Sequence, residues 1–416
     1  MRDGWLVCSG CSHRIPFNAG AGQCSCGGVF LVGYDLERVK ASWSVNPLKD
    51  RASTMWRYHE LLPVDRPNEA VTLGEGWTPM IRIPEWEERL TLKRLWVKRD
   101  EQNPTGSFKA RGFSVAVSLL KERGIEKVAV PSNGNAASAL AAYAARGKLQ
   151  SYVFVPMDCP GIIVEESIRY GAKTFRVDGL IHDAGKIIEE GKSSEGWVNV
   201  GTAKELGRLE GKKTMGLELA EQLSWEMPDV LLYPTGGGSG LIGIWKALGE
   251  LKEMGMLQGE LPRFVSVQEV GCTPVVDSFR SGAKKLVPYG DDTTSSPTGV
   301  RVPNPPAGDL ILSILRETGG TAVAVTRDEI LQAQAYMGYQ GISSSPEGAV
   351  VFAGLLHLRE AGEIRSGERV VLYNTAHALK YLEWDPPTSI PVIKNYKEYA
   401  ERVNTEHRAT FMNKNS

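Results

Sequence analysis

The chain has 416 residues, of which 42% are hydrophobic and 23% are charged, a composition typical of a globular protein with roughly two to three domains and a large core. Lys and Arg total 48 against 49 Asp and Glu, so the net charge of −1 gives no field that would attract nucleic acid or an anionic membrane. No stretch approaches the ~20 apolar residues of a membrane span, and the first residues lack the apolar core of a secretory signal. We therefore expect a cytoplasmic protein that binds neither nucleic acid nor membrane.

Four of the six cysteines lie within the first 26 residues, as a C-x-x-C pair, Cys8 and Cys11, and a C-x-C pair, Cys24 and Cys26. Two such pairs supply the four tetrahedral thiolates of a closed structural zinc site. The alternative is four free or oxidised cysteines, because the second pair is tighter than the usual C-x-x-C. We predict a zinc-ribbon-like module over residues 1–33, whose metal stabilises a small fold and leaves no open position for substrate.

Beyond residue 94, short β-branched runs alternate with helical segments, which predicts an α/β fold with mainly parallel sheets. The predicted strands are 95–98, 128–130, 152–155, 174–177, 230–233, 264–267 and 370–373. The predicted helices are 107–123, 135–146, 161–170, one from 241 and one near 274. Residues 34–100 are otherwise hard to assign, 288–308 are predicted to form a long loop, and 403–416 a polar tail. Because ligands in such sheets bind where strands end and helices begin, motifs at these junctions are candidates for one site.

The sequence T-G-G-G-S-G at residues 235–240 follows a predicted strand directly. Consecutive glycines let backbone N–H groups turn toward one point, and the next helix adds its positive end, which is typical of a phosphate-binding loop rather than a flexible turn. The loop lacks the Gly-Lys-Ser/Thr ending of a nucleotide P-loop. A rival interpretation is a nicotinamide oxidoreductase, because residues 238–243 fit G-x-G-x-x-G with Glu269 as the ribose-binding acid, although that acid lies farther along than the usual ~20 residues.

Residues 103–112, N-P-T-G-S-F-K-A-R-G, contain a second junction. Pro104 and Gly106 indicate a turn, and Ser107 is expected to cap the helix that follows. Lys109 then falls in the first helical turn, where the positive helix end favours a neutral, nucleophilic amine able to form a Schiff base. Without this context, Lys109 would be interpreted as a solvated surface charge.

A third junction lies at residues 131–138, P-S-N-G-N-A-A-S. Its small side chains and backbone amides suit a carboxylate, and Asn135 can donate a hydrogen bond to a ring hydroxyl. An ordinary Asn/Ser helix cap explains the same pattern.

Together these motifs resemble threonine synthase, a fold-type-II pyridoxal-phosphate enzyme related to the tryptophan synthase β-subunit. The resemblance extends from the cysteine module to Lys380 and includes T-L-G-E-G-W-T-P at 72–79, R-L-E-G-K-K-T at 208–214, P-E-G-A at 346–349 and N-T-A-H-A-L-K at 374–380. It implies two open parallel-sheet α/β domains beside the zinc-ribbon-like module, and a homodimer. The large cofactor-binding domain would comprise 34–110 with 210–402, and the smaller domain 111–209.

The resemblance also implies roles for individual residues. Lys109 would hold the cofactor through a Schiff base and move protons. The other cofactor-binding residues would be Phe108, Asn135, Gly236, Gly237, Gly238, Ser239, Gly240 and Thr375. Asn135 would contact the ring oxygen, the glycine loop the phosphate, and Thr375 the pyridine nitrogen. The substrate carboxylate would be held by Ser132, Asn133 and Gly134. Candidates for the substrate phosphate are Arg111, Lys212 and Arg208, each of which is otherwise a surface charge.

Two segments depart from the family pattern. Ala376 and Ala378 replace glycines of the terminal motif, and G-T-A-K-E at 201–205 replaces an Asn-Pro-Phe segment. The resemblance predicts a carbon–oxygen lyase acting on phosphates, which converts O-phospho-L-homoserine and water to L-threonine and phosphate. The alternatives are elimination or replacement on another activated amino acid, as in cysteate synthase or a specialised-metabolism homologue, and a nucleic-acid or partner-binding protein built on the cysteine module.

Overall fold

A computed structural model gives the fold and describes residues 4–17, 24–45, 47–202, 204–290, 293–295, 297–382 and 392–400. Residues 1–382 form one compact unit, and within 383–416 the described segment is helical over 396–400. The predicted polar tail at 403–416 lies outside the described residues.

The strands in chain order are β1 (Trp5–Cys8), β2 (Arg14–Pro16), β3 (Phe30–Gly33), β4 (Met80–Arg82), β5 (Arg94–Arg99), β6 (Lys127–Pro131), β7 (Gln150–Pro156), β8 (Lys173–Val177), β9 (Val198–Asn199), β10 (Val230–Pro234), β11 (Arg263–Glu269), β12 (Thr321–Val325) and β13 (Arg369–Asn374). The α-helices are α1 (Leu36–Val45), α2 (Pro84–Arg89), α3 (Lys109–Glu122), α4 (Ala136–Gly147), α5 (Gly161–Arg169), α6 (Ile181–Glu195), α7 (Gly207–Gln222), α8 (Ser239–Glu253), α9 (Pro274–Arg280), α10 (Gly308–Glu317), α11 (Arg327–Tyr339) and α12 (Pro346–Glu360). Short 3₁₀ turns cover Leu48–Asp50, Met55–Leu61, Pro67–Glu69, Asp100–Gln102 and Ala378–Tyr381.

The largest sheet has six strands in the order β12-β11-β10-β13-β5-β4. All neighbours are parallel except β4, which pairs antiparallel with β5 at the edge. Every residue of β10 is buried, as expected for a central strand that is covered by helices on both faces. The chain therefore leaves this sheet after β5 and returns to it at β10.

The intervening strands form a separate parallel sheet in the order β8-β7-β6-β9. Strands from residues 127–199 lie in this sheet and those from 80–99 and 230–374 in the larger one, which is the interleaving expected of a fold-type-II enzyme. The domain boundaries 34–110 with 210–402, and 111–209, stay predictions.

The N-terminal strands form a small antiparallel sheet, β2-β1-β3. Its apolar residues Leu6, Phe17 and Val32 belong to the same buried cluster as residues of α7 and α8. The Tyr34 hydroxyl, just after β3, donates to the Glu210 carboxylate of α7 at 2.8 Å. The module is thus packed on a helix that contributes to the candidate site.

The predicted α/β alternation is confirmed, and each predicted strand or helix boundary lies within two residues of the observed one. The described residues of 288–308 contain no helix or strand before α10 begins. The sequence analysis did not predict the strands β1 to β4, β9 and β12 or the helices α1, α2, α6, α7 and α10 to α12. It wrongly placed the start of α3 at Ser107. Within the described part of the chain, no helix combines the length and apolarity that a bilayer span requires.

Candidate active site

Lys109 is the first residue of α3, and the segment before it is fixed by the chain that follows β13. The Phe108 amide donates to the Thr375 carbonyl at 3.0 Å, and the His377 amide donates to the Gly106 carbonyl at 3.0 Å. Between them, Ser107 forms an isolated bridge with Ala376. The predicted Ser107 cap is wrong, because no side chain caps α3 and the Ser107 hydroxyl has no partner among the described residues.

The Lys109 amine lies in surroundings that favour its neutral form. Burial, reinforced by the charge of Arg208 and partly opposed by the Glu347 carboxylate, lowers the pKa of Lys109 to about 7. The amine also lies 4.1 Å from the centre of the Phe108 ring. A lysine with this pKa is substantially deprotonated near neutral pH and is able to attack a carbonyl carbon.

The glycine loop connects β10 to α8, a helix of 15 residues. Gly238 has φ +71°, a conformation that side chains disfavour. A Cβ at Gly236 would lie 2.6 Å from the Gly299 carbonyl oxygen, and one at Gly240 would lie 1.9 Å from the Tyr233 hydroxyl. Neighbouring groups thus exclude side chains from the loop, and the positive end of α8 makes it suited to a phosphate.

Two basic side chains of α7, Arg208 and Lys212, are buried, and Lys212 contacts this loop. The Lys212 ammonium donates to the Ser239 hydroxyl at 2.6 Å, and the Arg208 guanidinium donates to the Val200 carbonyl at 2.9 Å. Burial, together with the charges of Arg208 and Lys109, lowers the pKa of Lys212 well below its usual value. Within the described residues Lys212 forms no salt bridge, so the group fits a bound dianion such as a phosphate monoester.

The loop between β6 and α4 combines a structural cap with two asparagine side chains whose Oδ1 atoms have no partner among the described residues. The Ser132 hydroxyl accepts hydrogen bonds from the amides of Gly134 and Ala137, both at 3.1 Å, so the alternative of a helix cap holds for Ser132. Asn133 is buried, and its Oδ1 has no partner in the described chain. Asn135 donates through Nδ2 to the Tyr381 hydroxyl at 2.6 Å, while its Oδ1 is also without a partner there.

Thr375 and Ala376 follow β13 and are both buried. The Ala376 carbonyl accepts from the Ser345 amide at 2.9 Å, just before α12. The structure therefore brings four junctions together: those after β10 and β13, the loop before α3, and, through Tyr381, the loop after β6.

Comparison with known proteins identifies this arrangement. A family model described as "Pyridoxal-phosphate dependent enzyme" matches residues 71–376. The chain is 37% identical to threonine synthase of Methanocaldococcus jannaschii over 88% of this chain and 89% of that protein. It is 35% identical to threonine synthase of Methanosarcina acetivorans over 93% and 94%.

The chain belongs to the threonine synthase family of pyridoxal-phosphate-dependent enzymes.

Solved structures support the fold-type-II architecture of this family member. Maize serine racemase matches with a TM-score of 0.63 at 20% identity, over 79% of this chain and 93% of that chain. Threonine deaminase isoform 2 of Solanum lycopersicum matches with a TM-score of 0.62 at 18% identity, over 88% and 93%. At these identities the likeness concerns the fold alone.

Two residues near the site were missed by the sequence analysis. Glu347 belongs to the P-E-G-A motif at the start of α12, is buried, and accepts a hydrogen bond from the Gly299 amide at 2.9 Å. Tyr381 follows the terminal family motif directly and is buried as well. The glutamate within the P-E-G-A motif could have been identified from the sequence as a site residue, whereas nothing in the sequence distinguished Tyr381.

Arg111 does not lie with the other predicted phosphate ligands. Its guanidinium is fully buried and donates to Asp100 at 2.8 Å and to Glu218 at 2.5 Å and 2.8 Å. Two residues along an α-helix correspond to a rotation of about 200°, so Arg111 faces away from Lys109. The structure gives this family member a packing arginine where the sequence analysis predicted a substrate contact.

The four N-terminal cysteines converge. The Sγ atoms of Cys8 and Cys26 are 3.3 Å apart, those of Cys11 and Cys24 are 3.7 Å apart, and all four lie within 4.8 Å of one another. A Cβ at Gly28 would lie 2.6 Å from the Cys8 Sγ, so the turn must have glycine there. The donor set and its compactness fit a tetrahedral thiolate site.

We expect Arg111→Met to destabilise the protein by about 3–5 kcal/mol, because it leaves the buried Asp100 carboxylate without its cationic partner and Glu218 with Lys98 alone. Urea denaturation with a linear extrapolation measures this change. Arg169→Met is the matched control, because Arg169 pairs with Glu165 on the surface and exposed pairs contribute little. A variant of unchanged stability but raised substrate KM would instead support the phosphate-binding role.

Proposed function

We propose that this family member is a threonine synthase, converting O-phospho-L-homoserine and water to L-threonine and phosphate. The observation that supports it most is the shared position of two buried amines. Lys109, a lysine of lowered pKa, and Lys212, which donates to Ser239 at the end of the glycine loop, lie 4.1 Å and 5.5 Å from the centre of the same Phe108 ring. The names of its relatives support the same reaction.

In this proposal the residues around Lys109 hold pyridoxal phosphate. Lys109 binds its aldehyde carbon, and the loop at 236–240 binds its phosphate. Phe108 would pack beside the ring, Asn135 would donate to the ring oxygen, and Thr375 would face the pyridine nitrogen. When bound, the cofactor supplies an electron sink for negative charge developing on the substrate. Freed from the aldehyde, the Lys109 amine takes and returns protons at the substrate carbons.

Lys212 serves the cofactor phosphate in this proposal rather than the substrate. Its ammonium contacts Ser239, the first residue of α8, and thus lies at the helix end that attracts the phosphate. Arg208 lies one helical turn earlier and donates to the Val200 carbonyl. We assign the substrate phosphate to Arg208 and the substrate carboxylate to the loop containing Ser132, Asn133 and Gly134.

A second candidate is elimination or replacement on another phosphorylated amino acid. Ala376 and Thr202 support it, because both stand where the family pattern has a different residue. Thr202 also lies near the phosphate loop, since a Cβ at Gly237 would be 3.4 Å from the Thr202 methyl carbon. Both residues can therefore affect the size of the substrate that the site accepts.

The cysteine cluster is proposed to bind one structural zinc ion. Because the module packs on α7 through Tyr34 and Glu210, the metal would support the helix that contains Arg208 and Lys212 without taking part in the reaction. The homodimer and the cytoplasmic location stay predictions.

Purified protein should release phosphate and threonine in equal amounts from O-phospho-L-homoserine, and Lys109→Ala should reduce this to the uncatalysed rate because no other amine replaces it. Borohydride reduction followed by peptide mass analysis should locate the cofactor on Lys109. Lys121→Ala, an exposed lysine on the same helix, is the control and should behave as wild type. No phosphate at high enzyme concentration would reject the substrate, and turnover of O-phosphoserine alone would establish the second candidate.

Lys212→Met should weaken binding of pyridoxal phosphate to the apoenzyme by roughly tenfold to a hundredfold, because it removes a buried charge-assisted contact. Arg208→Met should instead raise the KM for O-phospho-L-homoserine. Equilibrium dialysis and steady-state kinetics separate the two effects. If Lys212→Met had normal cofactor affinity and a raised KM, Lys212 would be assigned to the substrate phosphate instead.

Metal analysis of the purified protein should find about one zinc per chain. Cys11→Ser should lose the zinc and lower the midpoint of thermal unfolding, because metal binding and folding of such modules are coupled. Cys272→Ala, which alters a cysteine outside the cluster, should keep the metal. A metal-free protein with four reduced thiols and undiminished stability would contradict the proposal.

A further inference from the structure

The 3₁₀ turn Ala378–Tyr381 connects the end of the terminal motif to helices of the four-stranded sheet. The Lys380 ammonium forms a salt bridge with Glu166 of α5 and donates to Ser138 of α4 at 3.3 Å. The next residue, Tyr381, accepts a hydrogen bond from Asn135, just before α4. Two consecutive side chains thus hold this turn over the start of α4.

The Tyr381 hydroxyl is enclosed by groups of the candidate site. A Cβ at Gly134 would lie 3.4 Å from the hydroxyl oxygen, so the hydroxyl packs directly over the loop that contains Asn135. That oxygen accepts from Asn135 at 2.6 Å. Burial, followed by the negative charge of Glu347, raises the pKa of Tyr381 well above its usual value, so the hydroxyl keeps its proton.

The hydrogen bond between Asn135 and Tyr381 determines how the Asn135 amide is oriented. One N–H of Nδ2 is directed to Tyr381, which leaves the second N–H available and fixes the amide plane. Without the hydroxyl, the side chain would rotate about its terminal torsion, which has only broad preferences. The groups that act electrostatically on Tyr381 are Glu347 and Cys159, and those that act on Lys109 are Arg208 and Glu347.

We propose that Tyr381 is a positioning residue, which holds the Asn135 amide toward the ring oxygen of pyridoxal phosphate. This inference rests on the proposed function, since it assumes that the cofactor binds at Lys109. It assigns Tyr381 a role through Asn135 and not through contact with the substrate.

Absorbance titration of the bound cofactor tests the role. A donor to the ring oxygen competes with the proton that this oxygen shares with the Lys109 nitrogen, so loss of the donor raises the pKa of the chromophore. Tyr381→Phe, which keeps the ring, should raise it by about half a unit to one unit, the size of one modest hydrogen bond. Asn135→Ala should raise it at least as much, and adding Tyr381→Phe to Asn135→Ala should change nothing further.

Tyr58→Phe is the matched control, because the Tyr58 hydroxyl donates to Glu221 at 2.6 Å in a comparable buried pair. It should leave the chromophore pKa unchanged. A wild-type protein without a visible cofactor band would reject the proposed function itself. A normal band with Tyr381→Phe titrating as wild type, or additive shifts in the double variant, would overturn this inference alone.

Discussion

Two backbone hydrogen bonds between the loop before α3 and the segment after β13 hold the candidate site together. They join Phe108 to Thr375 and His377 to Gly106, residues far apart in sequence. The parallel pairing of β5 with β13 brings them into register, since Arg99 is paired with Asn374 at the ends of both strands. Lys109 therefore takes its place only when the C-terminal strand is inserted into the centre of the sheet. A cofactor-binding lysine here depends on the complete fold of the larger sheet and not on a local motif.

The basic residues of α7 lie on different faces of the helix. Arg208 and Lys212 are four residues apart and thus lie on one face; on this face Lys212 contacts Ser239 of the glycine loop and Arg208 contacts the Val200 carbonyl. Lys213 points elsewhere and forms salt bridges with Glu210 at 3.0 Å and Glu250 at 2.9 Å. The same rule separates Lys109 from Arg111 on α3. One face of each helix thus provides reactive or anion-binding cations, and another provides ion pairs whose partners are already present.

The sequence predicted what depends on local chemistry. The glycine loop, the lysine in the first turn of a helix, the cysteine cluster and the α/β alternation each follow from residue type and spacing. It did not predict what depends on tertiary partners. Arg111 was predicted to bind an anion because the sequence does not show that Asp100 and Glu218 lie beside it. Ser107 was predicted to be a cap because the sequence does not show its bridge to Ala376, which is far away along the chain. β4 and β9 have three and two residues, too few for a periodic signal.

The contacts around Tyr381 differ in kind from those that stabilise either sheet. The central strands β10 and β13 are apolar and almost completely buried, so separating them would expose a large hydrophobic area. Near the site, the larger sheet is linked to the four-stranded one by polar pairs, Lys380 with Glu166, Asn135 with Tyr381, and Arg301 with Asp158. Water replaces such polar partners at a small net cost, whereas it cannot replace apolar packing. The fold therefore places polar, more easily separated contacts between the two sheets near the candidate site, and it keeps the strands that precede the glycine loop and Thr375 within its apolar core.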